Sequence, residues 1–398
     1  MGIHIHSTHT EFTPEEAGFR IQTIEQLDQL FVELIQNEKV QGASYLLARG
    51  GKIFAMKSMG ELRHTEQGKL FTPHSIRRIA SITKWFTMVA VLRLMEDGKI
   101  SLGQQVKDFI PEFDHRFYER INITHLLTHT SGLAPDGGYF LEPYPTDWYD
   151  HLFAFGDDDD DDGEKPVRTA DEEIAFRKSQ WIKAMLAGPP VCAPGEQWNY
   201  CTKGFMILGE IINRVTGLEY EEYIQRTILE PLGMTRTFFN VPEELHGEVC
   251  VVNDWELERL SRMRQPFDPP KSGGGLFSTL EDLNRFAQML LNKGSYDGVR
   301  ILGRKSVEML QREPYPEGLP AFCWGDQVKN NHFALSSSLG REYDSCGPNT
   351  FFHEGAGRST LMVDPDEDLV VAFFVPSDVD WVPESVINVK NIIWSGLK

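Results

Sequence analysis

The chain has 398 residues, enough for one large domain or two interleaved ones with a substantial core, and its 41% hydrophobic and 25% charged residues are ordinary for a globular protein. Its formal charge of −20, from 39 Lys and Arg against 59 Asp and Glu, argues against nucleic acid or an anionic membrane as a partner. No apolar run approaches the roughly 20 residues needed to span a bilayer.

The first residues, Met1-Gly-Ile-His-Ile-His-Ser-Thr-His9, have neither the basic nor the apolar region of a secretory signal, so a cytoplasmic location is expected. Residues 1–20 are polar and read as a flexible N-terminal tail, with His4, His6 and His9 no more than a superficial metal pattern. The Cys residues at 192, 201, 250, 323 and 346 lack C-x-x-C spacing and read as reduced thiols. Thr23 to Ile35 carries apolar residues at helical spacing. Gln41 to Met56 reads as a β-hairpin turning at Gly50-Gly51.

Next comes Arg78-Ile-Ala-Ser81-Ile-Thr-Lys84, running into Trp85 to Met95. Arg93 is the only charge between Trp85 and Glu96, and a helix apolar on nearly every side belongs in a core. Ser81 reads as an N-cap or first-turn residue and Gly98 as the stop. Lys84 lies one turn after Ser81, placing an amine within reach of a hydroxyl. A serine is a weak nucleophile until such a group takes its proton.

His125 and His129 have a spacing that could ligate zinc, but no H-E-x-x-H motif surrounds them, and they read as structural. Pro135 to Asp150 reads as the wall or lid of a cleft, and residues 156–164, with Asp157 to Asp162, as a mobile acidic loop. Gly188 to Tyr200 is a loop between helical stretches. Ser272-Gly-Gly-Gly275 lacks the lysine of a phosphate loop and reads as a flexible turn before Thr279, a cap for Leu280 to Leu291. Three strands of an antiparallel sheet follow, near 350–355, 359–364 and 368–375, and a last helix runs from Pro383 to Trp394. The fold class expected is α/β plus all-α, an antiparallel sheet flanked by helices: residues 21–80 and 300–398 form one domain from both termini, and 81–299 an inserted, mainly helical one.

Three separated segments together resemble the serine β-lactamase and penicillin-binding-protein superfamily, and within it the class C β-lactamases and β-lactamase-like carboxylesterases. Arg78 to Lys84 is similar to the first motif, Tyr200-Cys-Thr202 to the second (Tyr-x-Asn), and His353-Glu-Gly355 to the third. His125 to Leu133, Pro231 to Met234 and Gly274 to Leu283 add to the likeness. The resemblance implies a β-lactamase/transpeptidase-like fold and an acyl-enzyme on Ser81, with Lys84 and Tyr200 carrying its proton. Tyrosine ordinarily ionises near pH 10, so positive charge from Lys84 would have to help it act as a base. By family position the oxyanion hole would be the backbone N–H groups of Ser81 and Ala356, and Thr202, His353, Glu354 and Gly355 would bind substrate.

Two departures bear on substrate. Thr202 replaces the motif's asparagine, and a hydroxyl lacks an amide's reach. His353 stands where other branches have lysine, which weakens a permanent carboxylate-binding charge. The expected function is therefore hydrolysis of small esters. A D-amino-acid peptidase, amidase or weak β-lactamase is the alternative on the same machinery, and a non-catalytic binding or regulatory member is the alternative of another class. No metal or organic cofactor is implied, the partner is a small-molecule ester or amide, and the oligomeric state is open.

Overall fold

Alternating apolar side chains build the frame, a seven-stranded antiparallel sheet. Its strands are β1 (Ile5–Ser7), β2 (Gly42–Arg49), β3 (Lys52–Gly60), β4 (Ser338–Leu339), β5 (Phe351–Gly355), β6 (Ser359–Asp364) and β7 (Leu369–Phe374), in the order β1-β3-β2-β7-β6-β5-β4. The computed structural model describes residues 3–66, 68–134, 168–186, 190–260, 268–316, 318–323, 326–328, 331–341, 344–378 and 383–398. The expected lid at 135–150 and acidic loop at 156–164 lie outside the described residues. Gly50 and Gly51, at φ of 59° and 76°, make the left-handed turn that joins β2 to β3, whose register shifts once, between Leu47 and Ala48.

The longer helices are α1 (Ile21–Gln36), α2 (Thr83–Glu96), α3 (Ala170–Met185), α4 (Thr202–Thr216), α5 (Leu280–Leu291) and α6 (Ile387–Ser395). Period-two alternation gives the sheet two apolar faces. Tyr45, Leu47, Met362 and Val371 face a core with Leu27 and Phe31 of α1 and Val389 and Ile393 of α6. Leu46, Ala48, Leu361 and Ala372 face the opposite way, into a larger core built around α2, α4 and α5. Each fully buried aliphatic or aromatic side chain contributes about 1.5–3 kcal/mol, which is why these faces set the layer order. Helix α2 lies inside the larger core, with Trp85 to Leu92 all buried. Helix α5 starts where Thr279 caps it, its hydroxyl accepting from the Asp282 N–H at 3.3 Å.

The chain leaves the sheet at Gly60, crosses the helical part and returns at Ser338, so the sheet comes from both ends of the sequence. The helical part also carries small strands. Ile76–Arg78 pairs with Val249–Cys250 and with Phe277–Ser278, and Trp198–Asn199 pairs with Ala321–Cys323. The N-terminal residues differ from the flexible tail expected of them. Ile5 to Ser7 form the edge strand beside Met59 to Lys57, and Phe19 is fully buried. Backbone hydrogen bonds to β3 order this segment, and they do not register in the composition of 1–20. Among the described residues, no helix is long and apolar enough to cross a membrane.

Candidate active site

Strand Ile76–Arg78 is followed by Ile79, and Ala80, at a left-handed φ of 44°, opens the 3-10 turn Ala80–Ile82 that leads into α2. A non-glycine residue in that region is strained, and here the strain lies next to the proposed nucleophile. Ser81 is half-buried in that turn and caps nothing, so its hydroxyl is left to other partners. The turn is fixed from outside. The Ile79 N–H donates to the Leu276 carbonyl at 3.0 Å, and the Ser359 hydroxyl donates to the Ile79 carbonyl at 3.0 Å. Gly355 is needed by close approach: a Cβ there would lie 2.2 Å from the Ile79 oxygen.

Lys84, one turn into the helix, is fully buried. Its Nζ lies 3.1 Å from Ser81 Oγ, 3.2 Å from Thr202 Oγ1 and 2.7 Å from the Gly273 carbonyl. Burying an ammonium costs several kcal/mol, and hydrogen bonds to oxygens offset that cost. The Gly273 carbonyl was not evident in the sequence, where the glycine triplet reads as a turn. A Cβ on Gly273 would lie 2.3 Å from Thr202 Cγ2, so the glycine lets this carbonyl reach the lysine.

Tyr200 follows strand Trp198–Asn199 immediately before α4, and its N–H donates to the Phe322 carbonyl at 3.2 Å. Lys84 Nζ lies 4.9 Å from the centre of its ring. The structure thus brings Ser81, Lys84, Tyr200 and Thr202 together from segments more than a hundred residues apart. Cys201 is buried, with its thiol 3.6 Å from the Ala134 carbonyl.

Two histidines complete the surroundings. His353, on β5, shares its face with Phe351 and Gly355, and its ring lies 6.5 Å from that of Tyr200. Its Nδ1 lies 2.8 Å from the Glu354 carbonyl, which can only accept, so Nδ1 carries the proton. The buried Nε2 is then a lone-pair acceptor with no partner among the described residues. Burial, with Lys84 nearby, pushes the His353 pKa down to about 3.

His125 is the structural residue expected, closing a capping box with Asn122. His129, expected to be structural too, has its ring 4.4 Å from that of Tyr200. The Cys201 N–H donates to its Nδ1 at 3.1 Å, which places the proton on Nε2, a buried donor with no partner among the described residues. Burial and the Lys84 charge hold it neutral, well below the ordinary histidine range. Its four-residue spacing from His125 gave no hint of Tyr200, which comes from another segment.

Glu354 corrects the sequence reading. Strand alternation turns its side chain away from His353, and its carboxylate pairs with Lys390 of α6 at 3.0 Å. Only its carbonyl contributes, by orienting His353. Ala356 is exposed at the turn between β5 and β6. Among the described residues no cluster of His, Cys, Asp or Glu could hold a metal ion.

A serine hydroxyl held by a buried lysine, at the head of a core helix packed on an antiparallel sheet, defines a serine hydrolase of the β-lactamase fold. The chain belongs to the Beta-lactamase family, whose pattern matches residues 27–383. Esterase EstB of Burkholderia gladioli is 32% identical over 285 residues, covering 65% of this chain and 68% of that one. A putative D-alanyl-D-alanine carboxypeptidase of Escherichia coli (strain K12) is 24% identical over 391 residues, covering 91% of this chain and 84% of that one. Among solved structures, a family VIII carboxylesterase shares the fold with a TM-score of 0.69, at 18% identity over 95% of this chain and 98% of that chain.

Proposed function

We propose that this protein is a carboxylesterase that cleaves small esters through an acyl-enzyme on Ser81. The observation that carries the reading is the 3.1 Å hydrogen bond between Ser81 Oγ and the buried Lys84 Nζ, beside the Tyr200 ring. Ser81 attacks the ester carbonyl carbon while its proton passes to the Lys84–Tyr200 pair. The backbone N–H groups of Ser81 and Ala356 receive the oxyanion. Collapse of the tetrahedral intermediate expels the alcohol, which takes the proton from Tyr200. Water, deprotonated by the same pair, then attacks the acyl-enzyme and releases the carboxylic acid and Ser81.

His353 supports esters over carboxylate-bearing peptides or lactams. A neutral imidazole with an unshared lone pair offers no cation to a substrate carboxylate. The resemblance to a protein named as a D-alanyl-D-alanine carboxypeptidase supports the second reading, a D-amino-acid peptidase or amidase. Five cysteines without a disulfide fit a reducing, cytoplasmic compartment.

Intact-mass spectrometry after mixing with a short p-nitrophenyl ester tests the mechanism. The wild type is expected to gain one acyl mass and Ser81→Ala none. Turnover of the ester but not of a D-Ala-D-Ala peptide or a cephalosporin supports the esterase, and the reverse order would replace it by the second reading.

A further inference from the structure

Arg77 lies four residues before Ser81 and is fully buried. A guanidinium has five N–H donors in a fixed plane, and here all five are engaged. Nε and Nη2 donate to the Gly357 carbonyl at 3.0 and 2.8 Å. Nη1 donates to the Cys250 carbonyl at 3.0 Å and to Glu256 Oε2, and Nη2 donates to Glu256 Oε1 at 3.0 Å. Glu256 comes from the short helix Asp254–Leu260, and its Oε2 also accepts the Val252 N–H at 3.1 Å. Its Oε1 lies 3.6 Å from Arg78 Nε. Burial pushes the Glu256 carboxyl up, but the Arg77 and Arg78 charges pull it below the ordinary range, so the pair is ionic.

Gly357 lies in the turn that carries Ala356. This turn is pressed onto the chain just before the nucleophile: a Cβ on Gly357 would lie 2.4 Å from the Arg78 oxygen, and one on Gly355 2.2 Å from the Ile79 oxygen. One short stretch of backbone, 77–81, therefore presents Ser81 at one end and grips the Ala356 turn at the other. Glu256 supplies the counter-charge without which a buried guanidinium is costly.

We propose that Arg77 and Glu256 are a positioning pair for the hydrolytic reaction: Arg77 holds the Gly357 carbonyl so that the Ala356 N–H stays aimed at the forming oxyanion, and Glu256 holds Arg77. The proposal rests on the acyl-enzyme reading above. Neither residue touches substrate. Their effect is on the geometry of a donor that is used mainly in the tetrahedral intermediates, so it falls on kcat rather than on KM.

The test compares Arg77→Lys and Glu256→Gln with wild type, using single-turnover acylation and steady-state hydrolysis of a p-nitrophenyl ester across pH. Lysine keeps the charge but has three donors instead of five. Loss of one oxyanion donor costs about 10²–10³-fold, so Arg77→Lys is expected to slow acylation about 100-fold and Glu256→Gln about 10-fold. KM should stay within about twofold, and the shape of the pH profile, set by Lys84 and Tyr200, should not change. Acylation within about twofold of wild type in the folded variants, whatever their melting temperature, would make the pair merely structural and overturn the proposal. If Arg77→Lys cannot be recovered folded, Glu256→Gln decides by the same readout. A wild-type enzyme that forms no Ser81 adduct refutes both this proposal and the function it rests on, whereas an adduct with unaffected variants refutes only this one.

Discussion

Two lysine–tyrosine clusters lie on opposite sides of the main sheet, and they are built from the same residue types to opposite ends. On the α1 side, Tyr45 Oη donates to Asp28 Oδ1 at 2.6 Å and Lys57 Nζ to Asp28 Oδ2 at 2.5 Å. The carboxylate neutralises the lysine, and burial together with Asp28 pushes the Tyr45 hydroxyl well above its ordinary pKa. That cluster is a strut in which the Tyr45 hydroxyl keeps its proton. On the α2 side, the partners of Lys84 Nζ include three neutral oxygens, one of them the Ser81 hydroxyl, beside the Tyr200 ring. A lysine bonded to a half-buried hydroxyl is placed to exchange a proton with it, as the proposed mechanism requires. Asp28 ties the first cluster together, whereas the bonds from Lys84 to Ser81, Thr202 and Gly273 run to neutral oxygens.

The sharpest way to break this contrast is to remove each lysine. Lys84→Gln should lower kcat/KM for an ester by about 10³-fold or more, since residues that act as a unit with the nucleophile lose nearly all of its advantage. Lys57→Gln should leave kcat/KM unchanged and lower the unfolding free energy by about 1–3 kcal/mol, because Asp28 loses a half-buried partner. Ester kinetics and urea unfolding on both variants check the pair. Equal loss of activity in the two would show that the proposed division is wrong.

Glycines give the same contrast at smaller scale. Gly355→Ala puts a Cβ 2.2 Å from the Ile79 oxygen, so β5 must move away from the turn that carries Ser81. A displacement near 1 Å costs about 10²-fold in rate. Gly51→Ala meets nothing within 4 Å but sits at a φ of 76°, so it should cost about 1 kcal/mol of stability and no activity. Thermal melts and kcat measured on both variants separate crowding from backbone strain.

How much of this was legible in the sequence follows from the range of the forces involved. The Gly50-Gly51 turn, the Thr279 cap and the one-turn spacing of Ser81 and Lys84 are local, and residue type alone announces them. The proximity of Tyr200 is not local, and it became visible only through the likeness of three motifs. Gly273 acts through its carbonyl, which every residue has, so nothing in its identity marks it as a lysine ligand. Arg77 carries no local signal of its own, because its partner Glu256 is far away in the chain. Glu354 was drawn into the site because its motif was read as a unit, whereas strand alternation sends its carboxylate to Lys390. The N-terminal segment misled for a related reason, since an edge strand owes its order to its neighbour.

The smallest effect, and the one that reaches both histidines, is in the pH dependence of stability. His353 titrates near 3 when folded and near the ordinary value of about 6.5 when unfolded, and His129 is depressed in the same direction. Between those values the unfolded chain binds a proton that the folded site refuses, so stability falls as pH falls. For His353 the contribution is fully present above about pH 6.5 and is lost at about 1.4 kcal/mol per pH unit as the pH drops toward 3, and His129 adds a loss of the same sign. Carboxylates held down by ion pairs add their own loss only below about pH 4.5, leaving the interval from 6.5 to 4.5 to the depressed histidines, half-buried His125 among them. Replacing His353 by Asn should make the slope in that interval shallower. Urea unfolding at pH 7.0, 6.0 and 5.0 on wild type and this variant measures the slopes. A wild-type slope near zero would mean that the site admits a proton as readily as water does, and the neutral His353 on which the preference for esters depends would be lost with it.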